Sequence, residues 1–147
     1  MKHFTFFELE YSSTAVERKI KNYPTPEIEN NLRALVDNLL DPLRERFEKP
    51  IIVGSGFRNV QVNKLVGGVV NSQHLTGCAA DLQTGSRLEN QHLARLLAQS
   101  GIPFDQLIDE HNYSWVHVSY NPNGNQRRQI LRIDKQGKAT RITAEQL

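Results

Sequence analysis

A chain of 147 residues with 38% hydrophobic and 23% charged side chains has the size and balance of one globular domain spanning 1–147, which excludes a disordered or low-complexity chain. Eighteen basic against 16 acidic residues leave a formal charge of +2, too near balance to argue for nucleic acid, and no aromatic residues interleave the basic ones for base stacking. A pI near 8.8 suits an anionic partner such as a cell wall, and the single cysteine, Cys78, excludes an internal disulfide.

At the N-terminus, Glu8 falls where a signal peptide would continue its apolar run, so no secretion signal or membrane span is expected. Residues 5–22 predict two short helical pieces around a turn at Ser12-Ser13, with Thr5 and Glu8 spaced as a capping box. His3 is expected to be exposed on a mobile terminus. Thr25-Pro26 reads as an N-cap followed by proline in the first helical turn. From Glu27 to Phe47, Ile28, Leu32, Leu35, Val36, Leu39, Leu40, Leu43 and Phe47 recur at steps of three and four, the stripe of a buried helix that Pro42 should kink or break. Ile51-Ile52-Val53 follows Pro50 as an unbroken apolar run and predicts a central strand. Arg58, after Gly54-Ser55-Gly56, is placed to point into a cleft where its planar fork fits a carboxylate; the alternative is an ordinary surface arginine. Asn59 to Val66 predicts a short helix closed by Gly67-Gly68.

The most informative stretch is Ser72-Gln73-His74-Leu75-Thr76-Gly77-Cys78-Ala79-Ala80-Asp81. His74 and Asp81 lie seven positions apart, too far to share a helical face, but a turn at Gly77 can bring both to one point. On a strand, Asp81 would share a face with Ala79, whose small side chain leaves room for a metal. Arg87 to Ser100 predicts a helix, capped by Gly101, with His92 at its surface or boundary. Gln106 to Glu110 and Trp115 to Tyr120 predict a hairpin around His111-Asn112-Tyr113-Ser114. In the second strand Trp115, His117 and Ser119 take one face, while Val116 and Val118 take the buried one. His74, Asp81 and His117 then form a three-ligand set, which on tetrahedral zinc leaves one position open, as in catalytic sites. Gln129 to Ile133 and Ala139 to Ile142 predict a last hairpin. Arg127, Arg128, Arg132 and Arg141 read as a solvated basic face, and Thr143 to Leu147 as a frayed end.

Ser-x-His, six residues, Asp, then Trp-Val-His, together with Ser55-Gly56-Phe57-Arg58, Asn63 and Gly67-Gly68, resembles the zinc D-alanyl-D-alanine peptidases of bacterial cell walls, peptidase M15 type. That family takes in carboxypeptidases, D,D-dipeptidases and phage L-alanyl-D-glutamate endolysins, and the resemblance covers about Val53 to Tyr120, roughly half the chain. It implies zinc as cofactor, His74, Asp81 and His117 as metal ligands, Arg58 and Ser72 as substrate contacts, and a peptidoglycan stem peptide as substrate. Better-known members carry a glutamate three residues before the second histidine, where this chain has Ser114.

With Ser114 unable to serve as a base, register supplies the candidate. A four-residue loop pairs Glu110 with Trp115, Asp109 with Val116 and Ile108 with His117, which puts Glu110 on the metal face and Asp109 on the other; a slip of one residue would exchange them. Glu110 is the expected general base, with His111 a weaker candidate for an electrophilic or shuttle role. The fold expected is α+β: N-terminal helices packed on a small, mainly antiparallel sheet carrying a zinc site, D-Ala-D-Ala peptidase/Hedgehog-like. The function expected is zinc-dependent hydrolysis of stem peptides, D,D-carboxypeptidase-like or endolysin-like. Two rivals are a non-catalytic zinc-containing wall-binding module, and a structural zinc site completed by Cys78 or His111. Cytoplasmic synthesis followed by release to the wall through a lysis or export system is the expected localisation.

Overall fold

In the computed structural model, which describes residues 1–147, the helices that begin from a loop start where a short polar side chain takes a first-turn N–H. Helix α1 (Phe6–Glu10) begins at the Thr5–Glu8 capping box, and α2 (Ser13–Arg18) begins at Ser12. Thr25, followed by Pro26, opens α3 (Pro26–Leu35). The apolar stripe after it does not break at Pro42. A π turn, Val36–Leu40, leads directly into α4 (Asp41–Phe47), with the N–H of Asp41 donating to Val36 O. Proline has no N–H to give and its ring crowds the preceding turn; one extra residue in that turn keeps the chain helical. Leu32, Leu35, Val36, Leu39, Leu40 and Leu43 are all fully buried as a result.

Strand β1 (Ile52–Ser55) leads through Gly56 to α5 (Val60–Leu65), capped by Asn59. A 3₁₀ turn, Gln73–Thr76, ends at Gly77 in the left-handed region and feeds β2 (Ala79–Gln83). Helix α6 (Arg87–Gln99) precedes β3 (Gln106–Glu110), β4 (Trp115–Ser119), β5 (Gln129–Ile133) and β6 (Ala139–Arg141). The strand order is β1-β2-β4-β3-β5-β6. All neighbours are antiparallel except β3 and β5, which run parallel, so the sheet is mixed. Ala80, Leu82, Leu107, Val116, Val118 and Ile130 face a single core shared with Leu93, Ala94 and Leu97 of α6 and the α3–α4 stripe. No helix is long and apolar enough to cross a membrane.

Several expectations change. The run Ile51-Ile52-Val53 forms an edge strand, not a central one: Ile51, just before it, is the residue that enters the core, while Ile52 is 58% exposed. The N-terminus is tied down, since the N–H groups of Lys2 and His3 both donate to the buried Asp41 carboxylate at 2.6 and 3.0 Å. Residues 143–147 do not fray; Ala144–Gln146 forms a 3₁₀ turn and Leu147 fills the core at 2% exposure. The basic end is only partly a solvated face. Arg127 pairs with Asp105, Arg132 with Asp109, and Arg128 stacks on Phe104, which leaves Arg141 as the solvated member.

Candidate metal centre and cleft

The face of the sheet opposite the core carries the titratable groups. Asp81 of β2 pairs directly with His117 of β4, and His117 with Ile108 of β3, so the carboxylate and imidazole are lateral neighbours. His74 comes from the 3₁₀ turn and is brought back over β2 by the left-handed Gly77. Its Nε2 stands 3.2 Å from Asp81 Oδ1, and His117 Nδ1 stands 3.0 Å from the same oxygen. One ligand atom from each of the three lies within 4.8 Å of the other two.

The donor set fits a zinc ion. His74 Nδ1 lies 2.7 Å from the carbonyl oxygen of Gly56, an acceptor only, so Nδ1 is the ring nitrogen that donates there. That leaves Nε2 facing a carboxylate oxygen, a contact that a proton or a cation must bridge. A ring nitrogen fixed by a backbone carbonyl on its far side is the usual support of a metal-binding histidine. With bonds to zinc of about 2.0–2.2 Å, tetrahedral ligands lie roughly 3.3 Å apart, close to the two distances from the imidazoles to Asp81. Burial alone would raise the Asp81 carboxyl, but the charge of His74 and the hydrogen bonds of His117 and His74 outweigh it and hold the group well below the usual carboxylate range. Neither Cys78 nor His111 belongs to the cluster; the Cys78 thiol turns to Thr76 O at 3.8 Å, so the group has three members and no fourth.

Around the cluster opens a cleft of about 490 Å³, whose lining includes Arg58, Ser72, Glu110, His111 and Trp115. The hairpin register is the expected one: Glu110 pairs with Trp115 and Asp109 with Val116. Glu110 therefore lies diagonally from His117, within reach for a long side chain. Burial lifts its carboxyl to about 7; His117 opposes, Asp81 and Asp109 add to the rise, and Arg58 opposes. Asp109 points the other way, 2% exposed, taking Arg132 Nε and Tyr113 N–H at 2.7 Å each. Ser114 is occupied in the turn, where its hydroxyl donates to His111 O. His111 lines the cleft but belongs to no cluster with His74, Asp81 and His117. A hollow of about 630 Å³ behind the hairpin is lined by Asp109, Tyr113 and Arg132 and holds none of the cluster residues.

Arg58 enters the cleft as expected. Its N–H donates to His74 O at 3.1 Å, and one guanidinium nitrogen reaches Ser72 Oγ at 3.5 Å. Its Nε is buried without a partner. Burial lowers its pKa, against the opposing charges of Asp81 and Glu110. Three supporting groups have roles that the sequence pattern does not mark. Asn22 bridges Glu10 O, Phe57 O and Asn59 N–H, and so fixes the turn that carries Arg58. Asp105 and Arg127 pair beside the cleft. All three act between segments far apart in the chain; the one local signal was a charged residue, Asp105, set between Phe104 and an apolar strand.

The zinc D-Ala-D-Ala carboxypeptidase of Streptomyces albus G is 55% identical to this chain over 40 residues, which is 27% of this chain and 16% of that protein. The chain thus aligns with well under two thirds of that relative's length. A family model described as Peptidase M15 matches residues 2–119, a span that holds His74, Asp81, His117, Arg58 and Glu110 alike. On that match, which covers most of the sequence and every residue of the cluster, the chain belongs to the peptidase M15 family.

Proposed function

We propose that this protein is a zinc metallopeptidase that hydrolyses peptide bonds in the stem peptides of bacterial peptidoglycan, in the manner of a D,D-carboxypeptidase or a phage-type endopeptidase. Zinc is its cofactor, and His74, Asp81 and His117 would hold it. The observation that carries the reading is a three-member ligand set on an open cleft with Glu110 on the same face. Zinc so placed supplies Lewis acidity toward a carbonyl oxygen and acidifies water. Glu110 takes the proton of the attacking water and returns it to the leaving amine, a task open to a carboxylate that shares the sheet face of His117 and lies diagonally from it. Arg58 presents its guanidinium to a substrate carboxylate, with Ser72 beside it as a further contact. Gly56 O and the β2–β4 pairing keep both imidazoles in place while the proton moves.

The choice of a wall peptide rests on the family and on the partial match to a carboxypeptidase of that name. Such a substrate requires that the chain reach the wall by export or lysis. The test is incubation of zinc-loaded protein with purified peptidoglycan and with a free stem pentapeptide, with and without chelator, and mass analysis of the products. Release of terminal D-alanine identifies a carboxypeptidase, and cleavage inside the stem an endopeptidase. No chelator-sensitive cleavage of either substrate would overturn the proposal and leave a wall-binding module.

A further inference from the structure

One wall of the cleft is a chain of polar contacts that the catalytic reading leaves unused. Gln73, next to His74, donates its amide Nε2–H to Asp105 Oδ2 at 3.0 Å. An amide facing a carboxylate must present nitrogen and not oxygen, so this orientation is fixed. Asp105, 3% exposed, also takes the N–H of Arg127 at 2.9 Å, its Nε at 3.1 Å and its Nη2 at 2.7 Å. Asp105 thus joins the segment bearing the first metal ligand to an arginine on a distant loop.

That arginine is not consumed by the pairing. Asp105 engages Nε and Nη2, one edge of the fork, and Nη1 takes no part. The Arg127 side chain is 56% exposed and lines the same cleft as Arg58, His74, Asp81 and Glu110. A free surface arginine gives up rotamer freedom when it binds an anion. Here Asp105 has already fixed the side chain, so a ligand meets a pre-organised donor.

We propose that Arg127, held by Asp105, is a second anion anchor and a specificity-determining residue, selecting peptides with a carboxylate in addition to the one offered to Arg58. The inference rests on the peptidase reading above. If Arg127 were only a structural partner of Asp105, amidating a substrate carboxylate would be indifferent to its identity.

The test is a cycle between protein and substrate with zinc-loaded protein. The probes are stem-type pentapeptides with free carboxylates at the C-terminus and at the internal glutamyl residue, with either one amidated, and with both amidated. KM and kcat are read from hydrolysis, and binding from the fluorescence of Trp115, the single tryptophan, which lines the cleft. In the unmutated protein, amidating the glutamyl carboxylate is expected to raise KM and the apparent Kd about tenfold with little change in kcat, the size of one charge-assisted contact. In R127Q that difference disappears while the effect of C-terminal amidation persists. R127K, which keeps charge without the fork, restores part of it. If all four peptides are cleaved and glutamyl amidation changes nothing in the unmutated protein, the inference falls and the peptidase reading stands. If none is cleaved, the peptidase reading falls, and equal binding of the free and glutamyl-amidated peptides removes the inference too. Should R127Q fail to fold, the unmutated comparison decides alone.

Discussion

Two adjacent carboxylates, Asp109 and Glu110, show how much one position along a strand decides. Glu110→Gln keeps the shape and removes the basicity, and should cut turnover by about a hundredfold to ten-thousandfold while zinc content stays at one per chain. Asp109→Asn should leave turnover nearly intact but lower unfolding stability by about 2–3 kcal/mol, because it strips charge from a buried partner of Arg132 and Tyr113 N–H. Denaturant unfolding with zinc analysis separates the two outcomes. Replacing His117 by alanine should abolish zinc retention, and full zinc content in that variant would remove it from the ligand set. The raised pKa of Glu110 has a definite sign. In zinc-free protein the folded chain keeps a proton up to about 7 that the unfolded chain releases at an ordinary glutamate value. This contribution to stability is complete at acid pH and is lost as pH rises through 7. Unmutated protein should therefore lose stability relative to Glu110→Gln between about pH 5 and about pH 8. A dication beside Asp81 favours the carboxylate, so zinc should move the titration to lower pH.

Elements whose cues are local were legible before the structure: the caps at Thr5 and Thr25, the turn at Gly77, and the β3–β4 register that aims Glu110. Each depends on residues within one turn or one hairpin. What could not be read depends on contacts between distant segments. The apolar run at Ile51 says that something is buried, not which strand lies beside it, and β1 is an edge. The parallel β3–β5 pairing and the Asp105–Arg127 link join segments more than twenty residues apart and have no local mark. Gly56 is another such junction. A Cβ there would collide with the carbonyl of Leu9, while its own carbonyl orients His74. Gly56→Ala should cost about 1–3 kcal/mol from overpacking and weaken zinc binding about tenfold to a hundredfold, read by metal competition. At the far end of the sheet, Leu147→Ala should cost about 3 kcal/mol, because the side chain is fully enclosed by the core.

Taken whole, the molecule uses one sheet as a partition, with aliphatic side chains from β2, β3 and β4 on one side and the cleft on the other. Chelation should accordingly abolish turnover and lower the melting temperature without unfolding the chain, since the core has its own closure independent of the metal. The pairing of β2 with β4 also has a bearing on how the molecule comes to exist. His74 and Asp81 are seven residues apart and can approach early, and the β3–β4 hairpin carries Glu110 and His117 together. Asp81 and His117, however, are separated by 36 residues and meet only when those two halves dock. Closing so long a segment is slow compared with forming a hairpin. During refolding, tight zinc uptake should lag behind hairpin formation and keep pace with the β2–β4 docking step, so that the metal acts as a clock for that long-range event in folding rather than as its nucleus.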